Sequence, residues 1–110
     1  MMSDIWPVKI ASILSSGILL VSCGVNNWAF NREEALSVIC ELEDIGVAIL
    51  GGDVYRLING ELECTYDSWY CDEGVGESEL EFVRRSASKA RDYIRNYMVS
   101  DALFAVVPKF

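Results

Sequence analysis

The chain has no histidine in 110 residues, no C-x-x-C pair among its four cysteines, and almost no positive charge in its middle third. Without histidine, neither a Ser-His nor a Cys-His nucleophile can be assembled. A zinc site would need Cys23, Cys40, Cys64 and Cys71 as four scattered thiolates, which is not the spacing of zinc modules. Reduced thiols in a cytosolic protein account for them more simply than a disulfide framework. Long apolar runs are also missing: none reaches the roughly eighteen uninterrupted residues that a membrane-spanning helix needs.

What is present is a folded, acidic chain. Hydrophobic residues make up 52% and aromatics 11%, too much for disorder, and 110 residues suffice for one core. Net charge is −8 and uneven. From Glu33 to Glu81 there are fourteen acids and one base (Arg56), net −13; outside that window three acids and eight bases give +5. Such a middle repels nucleic acid and anionic membrane, and suits either a basic protein partner or simple solvation.

The first segment presents a choice. Leu20-Val21-Ser22-Cys23 fits the lipobox that precedes a lipid-modified cysteine, which would place the protein on a membrane. Against this, Ile10, Ile13, Leu14, Gly17, Ile18 and Val21 share one helical face, with Lys9, Ser12, Ser15, Ser16 and Ser22 on the other. That periodicity predicts a core-facing helix from about Ile10 to Cys23, begun by Trp6-Pro7, with Cys23 a small residue at its end. The leader also lacks a basic cluster, since Asp4 offsets Lys9 and the amino terminus.

Asn31 followed by Glu34 is a capping-box signature. Ala35, Val38, Ile39, Leu42 and Ile45 then keep helical spacing until Gly46. Val47 to Leu50 reads as a short central strand, broken or bent at Gly51-Gly52. Asn59-Gly60 is a strong hairpin turn between strands 53–58 and 61–66. It pairs Ile58 with Glu61, Leu57 with Leu62, Arg56 with Glu63 and Tyr55 with Cys64. The expected core face carries Tyr55, Leu57, Leu62, Cys64 and Tyr66; the wet face carries Arg56, Glu61, Glu63 and Thr65, with an Arg56–Glu63 ion pair. Residues 67–73 either extend the strand or bulge away. A second long helix spans Glu77 to Met98, with Leu80, Val83, Ala87, Ala90, Ile94, Tyr97 and Met98 on its core side. A last strand, 102–107, ends or lies at an edge at Pro108. The expected fold is α+β: a small antiparallel sheet with a central hairpin (53–66) packed by about three helices, in one domain spanning 1–110.

Candidate chemistry is sparse. Asp53 with Glu63, or Asp67 with Asp72, could pair as carboxylates in a small enzyme. Gly51-Gly52-Asp53 is too short for a phosphate loop, and Asp67 to Glu73 lacks the alternation of a calcium loop. Neither a cofactor nor a metal is expected. What remains is a surface: Trp69 and Tyr70 among Asp67, Asp72 and Glu73, aromatics ringed by acids, as a hot spot for a basic protein. Trp69 fits a core position equally well.

Four segments in order, Gly24-Val25-Asn26-Asn27-Trp28-Ala29, Arg32-Glu33-Glu34-Ala35-Leu36, Ala48 to Tyr55, and Tyr66-Asp67-Ser68-Trp69-Tyr70-Cys71, make the chain resemble the immunity protein 40 family of bacterial polymorphic-toxin and contact-dependent inhibition systems. The resemblance runs from about Ile13 to Tyr97. It implies a cytoplasmic, non-enzymatic α+β protein that binds and neutralises a cognate toxin C-terminal domain, and no nucleic acid or membrane. The toxin would be basic if it is a nuclease, and an acidic face would steer it. The expected partner-binding residues are Asp53, Glu61, Glu63, Asp67, Trp69, Tyr70, Asp72 and Glu73, whereas Trp28, Gly51 and Gly52 suit fold and contact alike. A lipid-anchored envelope protein modified at Cys23 and a carboxylate-dependent enzyme are the alternatives.

Overall fold

A computed structural model describes residues 6–110; the charge reading at Asp4 lies outside the described residues. The elements are α1 (Val8–Leu14), β1 (Ile18–Leu19), a 3-10 turn (Val21–Cys23), β2 (Trp28–Phe30), α2 (Arg32–Asp44), β3 (Ile49–Ile58), β4 (Glu61–Tyr70), α3 (Glu79–Asn96) and β5 (Leu103–Pro108). The five strands form one antiparallel sheet in the order β1-β2-β5-β3-β4. The α+β architecture with about three helices is therefore as expected, although the hairpin lies at one side of the sheet rather than in its centre.

Both long helices are fixed at their starts by reciprocal caps. The Glu34 amide donates to Asn31 Oδ1 at 2.8 Å while the Asn31 amide donates to Glu34 Oε1 at 3.2 Å, and Ser78 with Glu81 does the same for α3. Two otherwise orphaned amides are satisfied at each start. At the far end of α2, Gly46 takes a positive φ of 77°. Its amide donates to Glu43 O and that of Val47 to Leu42 O, a Schellman ending.

The three helices pack on one face of the sheet. Their core joins Ile10 and Leu14 from α1, Ala35, Val38, Ile39 and Leu42 from α2, and Ala87, Ala90 and Ile94 from α3 to Phe30, Val54, Trp69, Phe104 and Val106 from the strands. The opposite face carries a smaller cluster, Ala29, Tyr55, Leu103 and Ala105, capped by Leu20 with Cys23, Val25 and Leu62 at its margin.

Several expectations are corrected here. The helix from Ile10 to Cys23 stops at Leu14. Ser15-Ser16-Gly17 breaks it, and the β-prone residues beyond pair with β2 through Ile18 opposite Ala29. Gly17 is needed where it stands, because a β-carbon would strike the Phe30 ring. Cys23 thus belongs to the 3-10 turn, not a helix end. Of the break or bend expected at Gly51-Gly52, the break does not occur: β3 runs for ten residues, and its register against β5 shifts between Ile49 and Gly51.

The hairpin register is as expected from Tyr55↔Cys64 to Ile58↔Glu61, but its core face is not. The helices cover the side bearing Val54, while only the 20–25 segment covers the side bearing Tyr55. Leu57, Cys64 and Tyr66 therefore stay exposed, Leu62 is half-buried, and Tyr55 alone is fully buried. Leu80 on α3 and Met98, beyond the helix end at Asn96, also face solvent, and Phe82 supplies the buried ring near the start of α3.

Candidate partner-binding surface

β4 is a terminal strand of the sheet, so among the described residues one of its sides has no neighbouring strand. A tight Asn59-Gly60 turn, both residues at positive φ, returns the chain along it. Between Asp53↔Ser68 and Tyr55↔Cys64 the ladder fits three residues of β4 opposite Val54 alone. This bulge holds Tyr66 at φ 69° and leaves it 90% exposed. Local bonds fix the distortion: Thr65 Oγ1 donates to Val54 O at 2.9 Å and accepts from the Asp67 amide at 3.1 Å. Bulges of this kind interrupt flat edge pairing and re-aim side chains.

The acids follow this edge as a stripe. Glu61 and Glu63 sit at the hairpin end, Asp67 in the bulge, and Asp72 and Glu73 just past the strand's other end, all exposed. Asp67 Oδ2 accepts a 2.6 Å bond from the Tyr97 hydroxyl, which raises the phenol's pKa above its ordinary value. Glu73 pairs with Lys109 at 3.1 Å. Arg56 pairs with Asp101 at 3.5 Å instead of Glu63, although Glu63 is its cross-strand neighbour.

The loop after β4 is organised by one guanidinium. Arg85 donates to both carboxylate oxygens of Glu77 at 2.7 and 2.8 Å, to the Asp72 carbonyl at 2.5 Å and to Cys71 Sγ at 3.2 Å. The Arg85 fork and the Gly74 amide hold the Glu77 carboxyl down at about 2.

Of the two positions expected for Trp69, hot spot or core, the structure has the core one. It is 6% exposed, stacks on Tyr93 at 4.8 Å between centroids, and fills the space above Gly52. A β-carbon at Gly52 would meet the Trp69 ring and the Ala105 carbonyl, so the paired glycines serve packing. Tyr70 remains exposed, with the Lys89 ammonium 5.4 Å from its ring centroid. Asp53 lies on the sheet face away from the helices, half-buried, and burial raises its pKa. Glu63, opposite Arg56, is on the other face, so Asp53 and Glu63 do not form a carboxylate pair.

Beside the stripe runs a groove of about 600 Å³ between the end of α3 and the bulge, lined by Asp67, Lys89, Asp92, Tyr93, Tyr97 and Met98 among others. Among the described residues, no cluster of three His, Cys, Asp or Glu side chains has the arrangement to hold a metal, and no helix is long and apolar enough to cross a membrane.

Three residues of the quoted segments hold the frame together. Arg32 donates to the carbonyls of Ile94, Tyr97 and Val99, closing the end of α3 from 62 to 67 residues away. Buried Asn27 donates to Val106 O at 2.9 Å and accepts from the Trp28 amide. Trp28 meets Trp6 edge to face at 5.6 Å. None of these long-range contacts has a local pattern that announces it, unlike the Ser78-x-x-Glu81 cap that begins α3.

The three helices thus back one face of an α+β sheet, and the β4 edge carries an acidic stripe. Residues 19–108 match the family model described as Immunity protein 40, and the chain belongs to that family. It is therefore an immunity protein, of a family that is not an enzyme family and that implies a toxin protein as partner. No match was found among curated proteins.

Proposed function

We propose that this immunity protein neutralises a cognate toxin C-terminal domain in the cytoplasm of the producing cell. It does so by laying the β4 edge over a basic face of a toxin that acts on nucleic acid. The observation that carries this reading is the uninterrupted charge: from Leu57 to Val83 there are eight acids and no base. Five of them, Glu61, Glu63, Asp67, Asp72 and Glu73, follow β4 and its exit. A single-sign stripe accelerates encounter with an oppositely charged partner and sets orientation. An enzyme that grips nucleic acid presents such a basic face around its site.

The test is complex formation with the toxin domain encoded immediately upstream. Tight binding is expected, with an association rate that falls as salt rises. Reversing Asp67, Asp72 and Glu73 together to lysine should weaken the complex by at least about 100-fold, roughly 2.7 kcal/mol. Unchanged affinity in that variant rules out the stripe as the contact surface.

A further inference from the structure

The toxin-binding reading leaves open which group anchors the complex, and the sheet face opposite the helices supplies one. Strand register sets Ser68, Asp53 and Ala105 in one row across this face, and Tyr70, Gly51 and Val107 in the next. The 20–25 segment covers Tyr55, Leu103 and Ala105 but not the second row, where Tyr70, Val107 and neighbouring Leu50 are exposed. Since Gly51 has no side chain, a depression of about 230 Å³ remains between these walls. That is below the roughly 300–1,000 Å³ of small-molecule pockets and suits one inserted side chain.

Asp53 is the unusual group in its wall. Its carboxylate is half-buried, yet among the described residues no hydrogen bond or ion pair engages it. The other half-buried acids are paired, Glu43 with Arg91 at 2.9 Å and Glu77 with Arg85 at 2.7 Å. A carboxylate already partly stripped of water in the free protein loses little more when a cation arrives, and recovers a charge-assisted bond. The larger groove at the end of α3 lacks this feature, because Asp67 is already satisfied by Tyr97.

We propose that the depression bounded by Asp53, Ser68, Tyr70 and Val107 is the anchor pocket for an arginine side chain of the toxin. The inference rests on the proposed toxin-binding function and names its central contact. Arginine fits better than lysine: its planar fork bonds a carboxylate in two places, and its flat face stacks on a phenol ring. Lys89 lies over one face of Tyr70 and the ring is still 69% exposed. Apolar Leu50 and Val107 at the rim exclude water round the pair, as hot spots require.

The experiment has two arms. In the first, Asp53→Asn is measured against the toxin domain and by thermal unfolding. The complex should weaken about 100-fold, chiefly through faster dissociation, while the free protein melts higher because an unpaired, desolvated charge is gone. In the second, N-acetyl-arginine amide is titrated into the isolated protein and followed by amide NMR, with the neutral citrulline analogue alongside. Saturable shifts are expected at Gly51, Gly52, Ser68 and Tyr70, absent with citrulline and absent in Asp53→Asn. Wild-type affinity for toxin in Asp53→Asn, or arginine-induced shifts that persist in that variant or centre elsewhere, overturns the pocket. Failure of the unmodified protein to bind toxin overturns the wider reading instead, and the arginine titration still decides the pocket.

Discussion

The Tyr97 hydroxyl donates to Asp67 Oδ2 at 2.6 Å, tying the end of α3 to the bulge of the edge strand. Tyr97 also packs edge-on against Phe104 at 5.7 Å between centroids. The acid at the middle of the stripe is thus positioned from the core outward. Tyr97→Phe keeps the packing and removes only the bond. The expected cost is about 1 kcal/mol in urea unfolding, with faster amide exchange at Tyr66 and Asp67. Asp67→Ala should let the Tyr97 phenol titrate closer to its ordinary value, read by ultraviolet absorbance; an unchanged titration contradicts the coupling.

Arg32 supports the same end of α3 from below. Helix carbonyls without partners carry a desolvation cost, and this guanidinium satisfies those of Ile94, Tyr97 and Val99 together. It also lies 5.6 Å from the Phe104 ring centroid. Arg32→Ala is expected to cost about 2–4 kcal/mol, and Arg32→Lys should recover only a small part because one ammonium cannot span three acceptors. Equal stability of the lysine variant and the original would show that charge, not the fork, matters.

Why these two contacts were invisible in the sequence is instructive. Local rules worked where the structure is local: the Asn31–Glu34 cap, the Gly46 stop and the hairpin register from Tyr55 to Ile58 all follow from residues within a turn of each other. They failed where distant elements decide. The alternation in 53–66 correctly identified two faces, but which face met the helices depended on how α2 and α3 packed. Helical spacing in 10–21 was real, yet Ile18 found a strand partner at Ala29. Of the site, the exposed acids were legible from composition. The burial of Trp69 was not, because it depends on Gly52 across the ladder and Tyr93 on the helix.

Glu77 makes the loop after β4 sensitive to acid. Its carboxyl is held at about 2, below the ordinary 4.5, by Arg85 and the Gly74 amide. A depressed acid stabilises the fold fully above its unfolded pKa, and that contribution is lost as pH falls from about 4.5 toward 2. Glu81 is shifted in the same direction by its cap with Ser78. The Gly74 amide resonance, whose proton bonds Glu77 Oε1 at 2.7 Å, should titrate with a midpoint near 2. Glu77→Gln should flatten that titration, and a Gly74 midpoint near 4.5 in the unmodified protein would contradict the Arg85 clamp.

Gly52 and Trp69 face each other across β3 and β4, and their fit can be tested as a pair. A β-carbon at position 52 would overlap Cη2 and Cζ3 of the indole as well as the Ala105 carbonyl. Gly52→Ala should therefore destabilise by about 1–3 kcal/mol, the range for overpacked cores. Trp69→Phe deletes the outer indole ring that carries those two atoms, and removes an indole N–H that is buried without a partner. Its own cost should stay near the low end for a core truncation. In the double variant the ring clash is gone but the Ala105 carbonyl still crowds position 52. The two costs should then sum to more than the double variant shows, with a coupling of about 1 kcal/mol in a double-mutant cycle. Strict additivity would mean that the Ala105 carbonyl, not the indole, requires glycine at this position.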